Sequence, residues 1–216
     1  MSLNKRAASS GKTFLKIFGG KIVQESSKKF ATDEELKERE NKSGNVVYYV
    51  EYDSLSGLIV GATIRNVEAL NADFLELDIV DVIENYKLSI PIDSRFAQSF
   101  MYRMLNLDLS KPVEIVPYAF ESKEGKKVSG LNLFQEGDKV APMYTREVPN
   151  GLPEAKQVRK GREVKWDFTD QTNFLYDEFE KFKAMLPERA PEVATSSKSN
   201  TFEVAEEEDA FDDLPF

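Results

Sequence analysis

The chain has 216 residues, 41% hydrophobic and 11% aromatic, with no Cys and no His. That is enough apolar material for one core, and it excludes disulfides, thiolate or imidazole metal ligands, Ser-His or Cys-His nucleophiles and histidine acid–base chemistry. The formal charge of −9 is uneven: Pro191 to Phe216 carry eight acids against Lys198 alone, whereas residues 1–30 carry Lys5, Arg6, Lys12, Lys16, Lys21, Lys28 and Lys29 against Glu25 alone. An acidic protein with a basic end can still meet a polyanion locally. No run of about eighteen apolar residues occurs, and no apolar stretch follows Lys5 and Arg6, so a cytoplasmic protein without membrane contact is expected.

The first eleven residues are small, polar and basic, and read as a flexible arm. From Thr13 to Gln24, Phe14, Ile17, Ile22 and Val23 recur as in a strand, and Gly19-Gly20 predicts a bend in one long first strand. Ala31 to Gly44 is charged and almost coreless, hence an exposed loop or short helix. Val46 to Asp53 and Leu58 to Val67 are β-rich about a turn-like Asp53-Ser54-Leu55-Ser56-Gly57, which predicts a hairpin. Leu75, Leu77 and Ile79 alternate with Glu76 and Asp78, then the apolar parity shifts to Val80 and Val82, as a bulge near Ile79-Val80 would cause.

Tyr86 to Ile92 supplies a further strand, and Phe96, Phe100 and Met104 at four-residue spacing predict a helix capped by Asp93 or Ser94. Val113 to Phe120 and Lys126 to Phe134 form a second hairpin, with Pro117 indicating an edge or bulge. Val140 to Lys165, with Pro142, Pro149, Gly151, Pro153 and Gly161, reads as loop. Phe174, Leu175, Phe179, Phe182 and Leu186 then mark an amphipathic helix over Gln171 to Leu186, stopped by Pro187 and Pro191. The fold expected is mainly β: an elaborated OB-fold barrel with one inserted helix, a C-terminal amphipathic helix and a disordered acidic tail. Its parts are the arm 1–11, the OB-like domain 12–187, a linker 188–202 and the tail 203–216.

The tail reads EVAEEEDAFDDLPF: seven carboxylates surround Phe211, and a terminal Phe follows that no local core can bury. Asp212 and Asp213 with the terminal carboxylate suit a cationic socket, and Leu214, Pro215 and Phe216 suit an apolar pocket. The ending Asp212-Asp213-Leu214-Pro215-Phe216 resembles the acidic tip of bacterial single-stranded-DNA-binding proteins, usually Asp-Asp-Ile-Pro-Phe, over about nine residues. The resemblance implies an OB domain for the strand and a tip that contacts replication, recombination and repair proteins, such as a polymerase, primase, helicase or nuclease. The body, longer and without a Gln-, Gly- and Pro-rich linker, looks closer to phage-encoded versions, so the bacterial tetramer is not carried over and homo-oligomerisation stays open.

Binding single strands without reading sequence needs cations for phosphates and aromatic faces for bases. Lys12, Lys16 and Lys21 lie beside Phe14 and Phe18 in the first strand, and Tyr48 and Tyr52 share one face of the next while Tyr49 takes the other. A second candidate surface is Lys156 to Trp166, with Arg159, Lys160, Arg162 and the sole Trp166; Lys126 and Lys127 at a hairpin tip are a third, and Arg65, Tyr86 and Tyr118 are additions. For each Phe the core reading is the stronger one, for a Tyr beside a base the two readings are level, and the basic run can be a solvated loop. No catalytic set and no cofactor is expected. The rivals are a magnesium nuclease using Glu76 and Asp78 with Asp81 and Glu84, and an acidic-tailed interaction or recombination-mediator protein whose barrel binds protein.

Overall fold

The computed structural model describes residues 11–187 except 31, 33, 42, 43, 83, 161 and 162. The flexible arm, the linker and the tail expected from the sequence lie outside the described residues, apart from Gly11. In chain order the elements are β1 (Thr13–Phe18), β2 (Lys21–Ser26), β3 (Lys37–Glu40), β4 (Val46–Tyr52), β5 (Leu55–Val67), β6 (Ala72–Val80), β7 (Asn85–Pro91), α1 (Arg95–Met101), β8 (Val113–Glu121), β9 (Lys127–Gln135), β10 (Asp138–Lys139), β11 (Lys156–Lys160), β12 (Glu163–Asp167) and α2 (Thr169–Met185). The fold is mainly β, as expected. No helix among the described residues is long and apolar enough to cross a membrane.

Ten strands form one sheet in the order β10-β9-β8-β5-β6-β7-β1-β2-β4-β3, and β11 with β12 form a separate ribbon. All pairings are antiparallel except β1 with β7. One sheet face is apolar because period-2 alternation points Leu15 and Ile17 of β1, Leu75, Leu77 and Ile79 of β6, and Leu88 and Ile90 of β7 the same way, all buried. They join a single core with Ala97, Phe100 and Met101 of α1 and Leu175, Phe179 and Phe182 of α2. The Phe100 and Phe182 rings meet edge to face at 5.7 Å, which fastens the C-terminal helix to the inserted one. Ser94 caps α1 by accepting a hydrogen bond from the Ala97 N–H at 3.2 Å.

β5 serves both halves of the sheet. Leu55 to Gly57 pair with β8, and Leu58 to Val67 with β6, and the register slips between Ile59 and Gly61. The bulge expected at Ile79-Val80 is therefore on the facing strand: β6 keeps its alternation, and β5 carries the extra residue. Gly57 passes so close to β6 that a Cβ would lie 2.7 Å from the Ile79 side chain and 2.8 Å from Val80 O.

Several other expectations are corrected. Thr13 to Gln24 is two paired strands, because Gly19 and Gly20 both take positive φ and reverse the chain instead of bending it. β4 and β5 are consecutive but do not pair: β4 lies between β2 and β3, since two residues, Asp53 and Ser54, carry the chain from one half of the sheet to the other. The segment read as a loop or helix contains β3, an edge strand of sequence KERE whose charges suit an unpaired rim. Val140 to Lys165 contains β11 and the start of β12. Pro117 does sit beyond the β5 ladder, which ends at Ile115.

No closed barrel is seen among the described residues. β1 occupies the edge of β7, so β9 has no place there and ends against β10 instead. The sheet nevertheless curls until β2 touches β8. A Cβ on Gly20 would stand 2.3 Å from Ala119 N, so backbone meets backbone there across a seam that carries no strand ladder.

Candidate nucleic-acid interface

The outward face of the sheet is built by the same alternation that buries the core. On β1 it presents Phe14, Lys16 and Phe18; in register beside them stand Lys87 and Ser89 of β7, then Asp78 and Glu76 of β6. On the other side follow Val23 and Glu25 of β2, Glu51 and Tyr49 of β4, and Lys37 of β3. Phe14 and Phe18 are each 51% exposed, an unusual state for two Phe on one strand and the condition for stacking on a ligand.

The charges form a ladder across the strands in which every central carboxylate holds two cations. Glu76 Oε1 accepts from Arg65 Nε at 2.6 Å and its Oε2 from Lys87 Nζ at 3.2 Å. Asp78 lies 3.3 Å from Lys87 Nζ and 3.4 Å from Lys12 Nζ. Glu25 lies 2.8 Å from Lys16 Nζ and 3.0 Å from Arg39 Nη2. Among the described residues, five cations thus gather on these three carboxylates, and Lys37 pairs with Glu51 beside them. Burial pulls the Glu25 carboxyl up, but the hydrogen bonds and charges of Lys16 and Arg39 outweigh it and hold the group below its ordinary value of 4.5. Glu76 is only 7% exposed, so desolvation strengthens its two contacts.

Arg39 also lies over the Phe18 ring, 4.9 Å from its centroid. Three strand spacings of about 4.8 Å separate β3 from β1, so this contact requires the N-terminal end of the sheet to curl over its polar side. Val23 and Val47, on that side, are 2% and 6% exposed although they stand outside the main core. The curl hides apolar floor under a rim of cations.

Of the residues expected to touch DNA, Lys12, Phe14, Lys16 and Arg65 are brought together on this face. Lys21 stands at the end of the β1–β2 hairpin, ion-paired to Asp53, whose carboxyl that contact holds below the ordinary range. A neighbouring cleft lined by Lys21, Lys37, Glu34, Glu35, Glu51 and Asp53 carries more carboxylates than lysines and suits no phosphate. Tyr48 and Tyr52 lie on the opposite side of β4: Tyr52 packs against the core and burial pushes its hydroxyl pKa up, while Tyr48 lies under Lys29 Nζ at 5.2 Å. The Tyr of β4 that joins the polar face is Tyr49. Alternation made the two sets equivalent, and only the neighbouring strands decide which is buried.

The other expected residues are dispersed. Lys126 is 76% exposed, paired to Glu124 at 3.0 Å at the β8–β9 tip, and Lys127 opens β9. On the ribbon, Gln157 faces Trp166 and Arg159 faces Val164, so Arg159 and Trp166 share one side; Lys160 pairs in register with Glu163. Trp166 is 57% exposed and does not anchor α2 in the core. Arg162 and the tip Asp212, Asp213, Leu214, Pro215 and Phe216 lie outside the described residues. Sequence reasoning missed Lys87 and Arg39; Lys87 was discoverable from its parity with Tyr86 and Leu88, but Arg39 lay in a segment with no apolar alternation to mark a strand. No protein-family model matches the chain, and neither curated proteins nor solved structures yield a match.

Proposed function

We propose that the chain is a non-enzymatic, cytoplasmic single-stranded-DNA-binding protein that takes the strand without sequence preference along the polar face of β1 and its neighbours. The observation that carries this reading is the clustering of cations around two half-exposed Phe rings: Lys12, Lys16, Lys87, Arg65 and Arg39 for phosphates, Phe14 and Phe18 for bases. Phe14 and Phe18 are four strand residues apart, about 13 Å, so they take separate bases. The fold supports the same reading. The succession β5-β6-β7, α1, β8-β9, with a long bulged first strand shared between two half-sheets, is compatible with an elaborated OB-fold in which β1 takes the closing edge.

In this reading the tip Asp212-Asp213-Leu214-Pro215-Phe216 recruits replication and recombination proteins, and its charge competes weakly for the DNA face. A second reading, an interaction or mediator protein, draws on Val164, Trp166 and Phe168, which are more than half exposed around the ribbon. Titration of labelled oligonucleotides separates them. Mixed-sequence and dT strands should bind alike and far better than duplex, with log affinity falling by about 0.7 per phosphate contacted as log salt rises. Lys12, Lys16 and Arg65 changed together to Gln should weaken binding evenly across sequences. Equal affinity for duplex, or a salt slope near zero, sinks the reading. Removing residues 203–216 should tighten binding most at low salt, where screening is weakest, and Phe216→Ala should lose partner recruitment while leaving that competition intact.

A further inference from the structure

We propose that Arg103, Tyr118 and Phe120 form a second nucleotide subsite, where a base of a single strand stacks on Phe120 and Tyr118 and the adjoining phosphate is taken by Arg103. The inference rests on single-strand binding at the β1 face and extends that path across the seam. Gly20 presses the β1–β2 turn onto Ala119, so the strand that ends in Phe18 reaches β8 just where Tyr118 and Phe120 point outward.

Three features mark the subsite. Val113, Ile115 and Pro117 of β8 are buried, and alternation turns Tyr118 and Phe120 to the other side, with ring centroids 6.0 Å apart at 31° and Phe120 56% exposed. Tyr118 lies across Gly130: a Cβ there would come within 2.6 Å of its hydroxyl oxygen and 2.8 Å of Ser99 Oγ, so the ring is seated on glycine against α1. One turn beyond Ser99 stands Arg103, whose Nη1 donates to Ser99 O at 2.9 Å.

Arg103 differs from the cations of the β1 face. Those are shared among Glu25, Glu76 and Asp78, whereas among the described residues Arg103 has no carboxylate in ion-pair range, and its buried Nε has no hydrogen-bond partner. Desolvation by burial lowers its pKa. A partly buried guanidinium without a counterion is costly, and a phosphate oxygen at its solvent-facing side answers that charge. At the nearby hairpin tip Lys123, Lys126 and Lys127 outnumber Glu121 and Glu124 by one charge.

The test uses the full chain and fluorescein-labelled dT oligonucleotides of increasing length, read by anisotropy over a salt series. Phe120→Ala should weaken binding about 5- to 150-fold, as expected for losing one stacked base, and only for strands long enough to cross the seam. Phe120→Tyr should restore it. Arg103→Gln should flatten the log–log salt slope by about 0.7, one phosphate contact, with Arg103→Lys recovering the slope. Phe120 is exposed, and circular dichroism should show both variants folded. If Phe120→Ala and Arg103→Gln bind every length like the unaltered chain while Phe14→Ala weakens binding, the subsite is refuted and the β1 face stands. If the unaltered chain binds no single strand, both fall.

Discussion

The β1–β2 hairpin and the β11–β12 ribbon are both antiparallel, both basic and both aromatic, yet one is built into the large sheet and the other stands apart from it. In the first, Leu15, Ile17 and Ile22 line one side and are buried, so the hairpin has a side to bury and one left for Phe14, Lys16 and Phe18. In the second, Val158 lies on one side and Val164 and Trp166 on the other, with all three exposed. Neither side of the ribbon is apolar enough to join a core, and a lone two-stranded hairpin gains little stability from itself. The difference is one of sidedness. The hairpin has six apolar residues, three of them gathered on the core side, whereas the ribbon has three divided between its two sides.

The largest expected effect lies on the founded hairpin. Ile22 is fully buried, so Ile22→Ala should lower unfolding free energy by about 2–5 kcal/mol, measured by urea denaturation. A loss below 1 kcal/mol would mean the hairpin is no more integrated than the ribbon. Gly20→Ala should cost about 1–3 kcal/mol, because φ is +80° and the new Cβ meets β8 backbone. Should the variant keep its stability, the seam is not a packed contact.

A smaller effect is tied to pH. The folded-state pKa of Glu25 is depressed, so its stabilisation is present above the ordinary value of 4.5 and disappears as pH falls through the folded value. Glu25→Gln should therefore cost about 0.5–1 kcal/mol at neutral pH, given its partial exposure. The gap between variant and parent should close under acid, and a gap that persisted to about pH 2, below the native carboxylate range, would place the effect elsewhere. The smallest effect belongs to the ribbon: Trp166→Ala should leave stability within about 0.5 kcal/mol of the parent. A larger loss would show that the ribbon docks on the domain after all.

Much of this architecture was legible in the residues alone. Period-2 alternation marked the strands from Phe74 to Phe134, the spacing of Phe174, Phe179 and Phe182 marked the last helix, and Ser94 marked a cap. These signals are local, since burial of one side of a strand or helix is written in its own side chains. The candidate site was legible in part: Lys12, Phe14 and Lys16 share one face because alternation puts them there.

The tertiary structure decided what no segment states by itself. β4 passes its supposed partner β5 and pairs with β2 and β3, which sends Tyr52 to the core side and leaves Tyr49 outside. The strand alternation of Tyr48, Tyr49 and Tyr52 allowed either outcome. Arg39 and Lys87 join the polar face through strands distant in sequence, and Arg103 comes within electrostatic range of Tyr118 because α1 packs on β9, where Gly130 meets Ser99 and Tyr118. Pairing choice depends on competition among all strands for a few edges, and that competition is settled by the whole core. Periodicity therefore determined which residues share a face, and the sheet order determined which face is buried and which residues meet across strands.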